Sequence, residues 1–304
     1  MPYHYSMSSE PRARSEEKAA DLAVKKTLSY RSIFNYPMSY FQIGTYLITN
    51  RKVSASYLDR SVKKLTKQNE IKSKDQKYFL KSVKPLSWDL RHKNSQNNMN
   101  KAQYIFNILK GIPWIKMVAI TGSAAANNMD KKDDLDIFVV TEKNRLWLTR
   151  LFTVLFLKGI NKYRTDKNPS EKICPNIFID EESMAWRNDK RNLYVAHEIM
   201  MMHPIINRDN TYFKFLKKND WVYDFFANNK PDFLNAKSTE KSLKVKRSRV
   251  LDKLEKTLMI AQLKYMHQKK PDEITRKDII HFNKNDWTEN ILKDYKTIIS
   301  KLGY

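Results

Sequence analysis

Glycine is scarce in this chain, with five in 304 residues, and cysteine is reduced to Cys174. A single cysteine excludes an intramolecular disulfide, and no Cys/His set has zinc spacing, so neither device holds the fold together. Long apolar runs are missing as well. The longest, Leu151 to Leu157, is far short of the roughly 20 residues that a membrane-spanning helix needs. We read it as the inner face of a buried helix. The opening "MPYHYSMSSEPRARSEEK" lacks an apolar h-region and a cleavage site, which points to a polar tail over 1–15 rather than a secretory signal. These absences together lead us to expect a cytoplasmic protein with no membrane partner.

Acidic residues are the other shortage: 33 against 57 basic ones, a formal net charge of +24. A field of that sign attracts polyanions in a salt-dependent way, so nucleic acid is expected among the partners. What is present is ample for folding. Apolar residues make up 41% of the chain, above the range of disordered sequences, and the length suits two or three domains.

From residue 16 to about 34 the apolar spacing is helical, and "NYP" stops it. A short helix follows in "MSYFQIGTYLI". Ser54 or Ser56 then caps a third, in which Ala55, Leu58, Val62 and Leu65 share one face while Arg60, Lys63, Lys64 and Lys67 occupy the other. "EIKS" and "KYFLK" around a polar "KDQ" read as a hairpin. Three helices and a hairpin over 16–98 resemble a winged helix, with its basic third helix placed for a nucleic-acid groove. Residues 82–98, rich in Asn and Ser, read as a linker.

A helix from about Asn100 then leads into the strand "WIKMVAI", and "TGS" and "DLDIFVV" follow. Gly122 lets the backbone approach a phosphate, and Ser123 offers a hydroxyl and an amide. On a strand, Asp134 and Asp136 point to one face while Leu135 and Ile137 point to the other. Paired carboxylates repel unless a cation lies between them, and hard oxygen donors suit magnesium.

Gly-Ser, about a dozen residues, then Asp-hydrophobic-Asp-hydrophobic resembles the signature of the polymerase-beta-type nucleotidyltransferase superfamily, here Gly122, Ser123, Asp134, Leu135, Asp136 and Ile137. Stretches such as "IFNYPMSYFQI", "AITGSAA", "KICPNIFID" and "HPIINRDNTYFKFLKKNDWV" also look like uncharacterised prokaryotic proteins with a winged helix before such a domain. The resemblance implies an α+β architecture: a winged helix, a small mixed sheet flanked by helices over 99–185, and a helical C-terminal region over 186–304. It implies magnesium in a two-metal site on Asp134 and Asp136. Gly122 and Ser123 would hold a nucleoside triphosphate, whose nucleoside monophosphate goes to an acceptor. The alternative is a catalytically degenerate fold that binds nucleic acid or regulates.

Active members add a third carboxylate from a neighbouring strand. Here "ICPNIFID" offers Asn176 at its centre, a neutral oxygen that cannot act as a base, with Asp180 or Glu181 available in another register. His197 and Glu198 brace a helix or, for Glu198, face the site. Trp147 and the aromatic series from Tyr212 to Phe226 read as core, while Arg150 is either a brace or a phosphate contact. The basic stretch Lys237 to Lys256 reads as an exposed linker into a helix with Leu251, Leu254, Leu258 and Ala261 inside. A last helix places Trp287, Ile291, Tyr295 and Ile298 on its apolar side.

Overall fold

The computed structural model describes residues 9–85, 87–165, 167–231, 248–269, 274–281 and 287–303. The chain forms two compact units, each discontinuous in sequence: Met1–Trp88 with Trp221–Leu234 and Thr288–Tyr304, and Asp89–Asp220 with Asn235–Trp287. Both mix helices and a sheet, an α+β molecule.

The first unit contains α1 (Ser9–Ser32), β1 (Met38–Ser39), α2 (Tyr40–Thr45), α3 (Ala55–Lys67), β2 (Ile71–Lys74) and β3 (Lys77–Leu80). Ser39 and Gln42 form a capping box on α2, and the Ser54 hydroxyl accepts the Tyr57 amide at the start of α3. Leu58, Val62 and Leu65 recur at helical spacing and pack with Val24, Leu28 and Ile43 into one core. The strands lie in the order β1-β3-β2, all antiparallel. At the β2–β3 turn Asp75 and Gln76 both take positive φ, 51° and 56°, the handedness that a two-residue hairpin turn requires. The late helix Thr288–Lys301 returns to this unit, its Tyr295 ring 5.8 Å from that of Tyr30. Ile291 is buried as expected, but Trp287 is exposed.

The basic face of α3 carries several ion pairs. Arg60 pairs with Glu17, Lys63 with Asp59 and Lys64 with Asp21. Three of its four cations are thus answered by carboxylates of α1 and α3.

The second unit begins with α4 (Trp88–Leu109), followed by β4 (Ile115–Ile120), α5 (Gly122–Ala125), β5 (Leu135–Thr141), α6 (Leu146–Gly159) and β6 (Ile173–Asp180). Then come α7 (Leu193–Met201), β7 (His203–Asn207), α8 (Thr211–Lys218), α9 (Arg249–Lys269), β8 (Ile274–Thr275) and β9 (Ile279–His281). The sheet runs β7-β4-β5-β6-β9-β8; only β5 and β6 are parallel, joined through α6. Segment 186–304 was expected to be helical, yet it supplies both edges of this sheet. Ile137 and Val139 pack into the core that holds Trp147 and Phe178, while Phe138 meets Phe215 at 5.3 Å on the opposite face. Being covered on both faces explains why β5 is almost continuously apolar after Asp136.

Three further expectations are corrected. Residues 88–98 are helix, because their polar side chains are used internally. Arg91 binds Asn128 and Asp130, the Ser95 hydroxyl accepts the Met129 amide, and Gln96 donates to Asn127. The run Leu151 to Leu157 does not face inward throughout: it spans two turns of α6, and Phe152 and Leu155 are exposed. In α9 the buried positions include Glu255, Gln262 and Met266, whereas Leu254 is exposed. Of the basic stretch from Lys237, residues 237–247 lie outside the described residues. Among the described residues no helix is long and apolar enough to cross a membrane.

Candidate metal and phosphate site

Asp134 immediately precedes β5 and Asp136 is its second residue. The chain turns sharply between β4 and α5, where the Thr121 amide donates to the Asp136 carbonyl at 3.0 Å. Gly122 then adopts φ +63°, and a Cβ built there would lie 2.9 Å from Asp136 Oδ2. Only glycine meets both demands, so the backbone closes directly onto the carboxylate. Ser123 follows, half-buried, its carbonyl accepting the Asn128 amide at 2.8 Å.

The register of the parallel pair decides what stands opposite. Asp136 pairs with Cys174, and Asn176 falls in an irregularity between Ile137/Pro175 and Phe138/Ile177. The residue beside the aspartates is therefore Cys174 and not Asn176. Ligand atoms of Asp134, Asp136 and Cys174 all lie within 4.8 Å of one another, and the three residues are half-buried. Arg164, between α6 and β6, places Nε 3.0 Å from Asp134 Oδ2.

Desolvation, reinforced by the charges of Asp134 and Glu198, pushes the Asp136 carboxyl up to about 7 against the help of the Cys174 thiol and Arg164. Desolvation also raises Asp134, opposed chiefly by Arg164. The same desolvation, with both carboxylates adding to it, drives the Cys174 thiol well above its usual range, so it stays protonated and donates to Asp136 at neutral pH. Two carboxylates with one arginine and one thiol for support form an anionic cluster. Two hard oxygens fit a cation such as magnesium, while a neutral thiol is a poor third donor for it.

Comparison with protein-family models, with curated proteins and with solved structures yields no match. The geometry alone therefore sorts the expected residues. Gly122, Asp134 and Asp136 come together, with Ser123 next to Gly122 in the chain. Asp180 does not join them. It pairs with Thr141, six residues along β6 from Cys174, about 20 Å away at strand rise, and its carboxylate accepts the Asn144 and Glu182 amides at 2.7 and 2.9 Å. The Glu181 carboxylate accepts the Lys143 amide at that same end. Glu198, on α7, does act on Asp136, whereas His197 is fully buried. Arg150 is a buried brace that donates to Gln262. Trp147, Phe215, Trp221, Tyr223 and Phe226 are core.

Sequence reasoning missed Arg164 and the position of Cys174. No local spacing signals either one. Cys174 is delivered by the β5–β6 pairing, and Arg164 follows the isolated parallel bridge of Tyr163 to Ile173, the first residue of β6.

Proposed function

We propose that the protein is nucleotidyltransferase-like: it binds a nucleoside triphosphate with a divalent cation and transfers the nucleoside monophosphate to an acceptor. The observation that carries this reading is the closure of Gly122 onto a pair of desolvated carboxylates served by one arginine, Arg164. Asp134 and Asp136 would hold the cation, which supplies Lewis-acid stabilisation of charge on phosphate oxygens. Magnesium is the first candidate, because two of the three clustered donors are hard carboxylate oxygens. The Gly122–Ser123 turn would receive phosphate oxygens on its amides and the Ser123 hydroxyl. Arg164 favours the ionised form of Asp134 against its desolvation.

Cys174 favours a second reading. A thiol beside the pair, where active members of the superfamily that the sequence resembles have a carboxylate, removes one negative charge and one metal ligand, as in a fold kept for nucleotide binding without transfer. Calorimetric titration with magnesium and each triphosphate, paired with a search for labelled product, separates the two. Binding and transfer, both lost in the Asp134→Asn/Asp136→Asn variant, support the first reading, and binding without transfer supports the second. Absence of binding in the parent protein sinks both.

A further inference from the structure

Magnesium would use the two carboxylates of the site and leave its third donor aside, because a hard cation takes oxygen ligands. The fold nevertheless brings a sulfur to that place. Cys174 stands opposite Asp136 in the β5–β6 register, so the parallel ladder itself fixes it beside the pair. Its Sγ and one oxygen from each aspartate lie within 4.8 Å of one another, close enough to converge on one ion, and among the described residues no other three Cys, His, Asp or Glu side chains do so. Gly122 adds no side chain on the Asp136 side, where a Cβ would meet Oδ2 at 2.9 Å. Two carboxylate oxygens and one sulfur suit a zinc-class ion, which takes thiolate and carboxylate together and in reactive sites keeps one position open.

We infer that the site takes a borderline divalent cation of the zinc class in preference to magnesium, ligated by Asp134, Asp136 and the Cys174 sulfur. The metal–sulfur bond forms as the thiol proton leaves to solvent. Without a cation the two carboxylates help to hold that proton in place, and a dication among them reverses the sign of the local field. The inference rests on the cation site of the proposed function and changes the class of ion that fills it; the open position would receive a phosphate oxygen of the triphosphate.

Cys174 is the one cysteine of the chain, so any thiolate-to-metal charge-transfer absorption reports this residue alone. Titration of the full, metal-stripped chain with cobalt(II), in a non-thiol reductant and without nucleotide, should raise such a band in the near ultraviolet, and zinc should remove it by competition. Cys174→Ser should abolish the band and weaken zinc binding by at least about tenfold, while magnesium affinity, read by calorimetry, stays within about twofold. Asp134→Asn/Asp136→Asn keeps the thiol and should also abolish the band, which decides the matter if the serine variant does not fold. Absence of cobalt binding, cobalt binding without the band, a band that survives in the asparagine variant, or unchanged zinc affinity in Cys174→Ser overturns the proposal. Adding a triphosphate afterwards keeps the two readings apart: a band without nucleotide binding leaves this inference standing and removes the transferase reading, whereas magnesium-dependent nucleotide binding without a band does the reverse.

Discussion

Asp136 and Asp180 lie on neighbouring strands of one parallel pair, at opposite ends, and desolvation raises the pKa of each. Around Asp180 backbone amides oppose the desolvation, while Glu181 and Glu182 add to it. Asn144 and Glu182 amides serve Asp180, while Glu255 of α9 accepts the Trp147 and Leu148 amides at 2.8 and 2.9 Å and thereby caps α6 from outside. Around Asp136 the support is a thiol and one arginine, with Asp134 and Glu198 opposing. Equal chemistry thus sits in unequal surroundings, and the proposed function takes the second as the ligand-binding one.

The largest effect expected from this contrast is a dependence on pH. The folded protein holds the Asp136 proton to about 7, from an ordinary 3.8, so it binds that proton more tightly than the unfolded chain does. The contribution of Asp136 to stability without a cation is therefore fully present below about pH 4 and is lost as pH rises through about 7, by at most about 4 kcal/mol, read as the difference between the parent and Asp136→Asn. Urea midpoints across that window should show the fall, and Asp136→Asn should remove it. Midpoints that follow the same course in the parent and in Asp136→Asn over this window would show that the fold does not hold the Asp136 proton.

Next in size is the capping carboxylate. Glu255→Ala leaves two buried amides of α6 without an acceptor and should cost about 2 to 3 kcal/mol, read as a lowered melting temperature. Cation affinity at the other end should stay within about twofold, because additivity holds for sites this far apart. Parallel loss of both would mean that the two ends are one coupled system.

The smallest stability effect, though a sharp functional one, belongs to Gly122→Ala. The positive φ and the approach of the new Cβ to Asp136 should cost about 1 to 2 kcal/mol. Displacement of the carboxylate should lower magnesium affinity by about tenfold or more, measured by calorimetry. Unchanged affinity would detach the glycine turn from the site.

Local features were legible in the sequence where local chemistry decides them. Ser54 and the spacing of Leu58, Val62 and Leu65 specify α3, and alternation puts Asp134 and Asp136 together. Features decided by distant pairing were not. The polar first half of α4 reads as a linker until the 127–130 loop is present to accept and donate its hydrogen bonds. An apolar-period reading of α9 puts Leu254 inside, and Glu255 displaces it because two amides of α6 are waiting there. Cys174 reaches the aspartates only through the β5–β6 register, and the irregularity at Asn176 hides that register from any count along one strand.

The Glu255 cap also bears on how the protein is made. Trp147 and Glu255 are separated by 108 positions in the chain, so during synthesis the first turn of α6 leaves the ribosome before its acceptor exists. At about 5 to 20 residues per second the gap lasts roughly 5 to 20 seconds. For that interval the β5–α6–β6 segment is a nascent species with an unfinished helix start, and the arrival of α9 is the event that completes it.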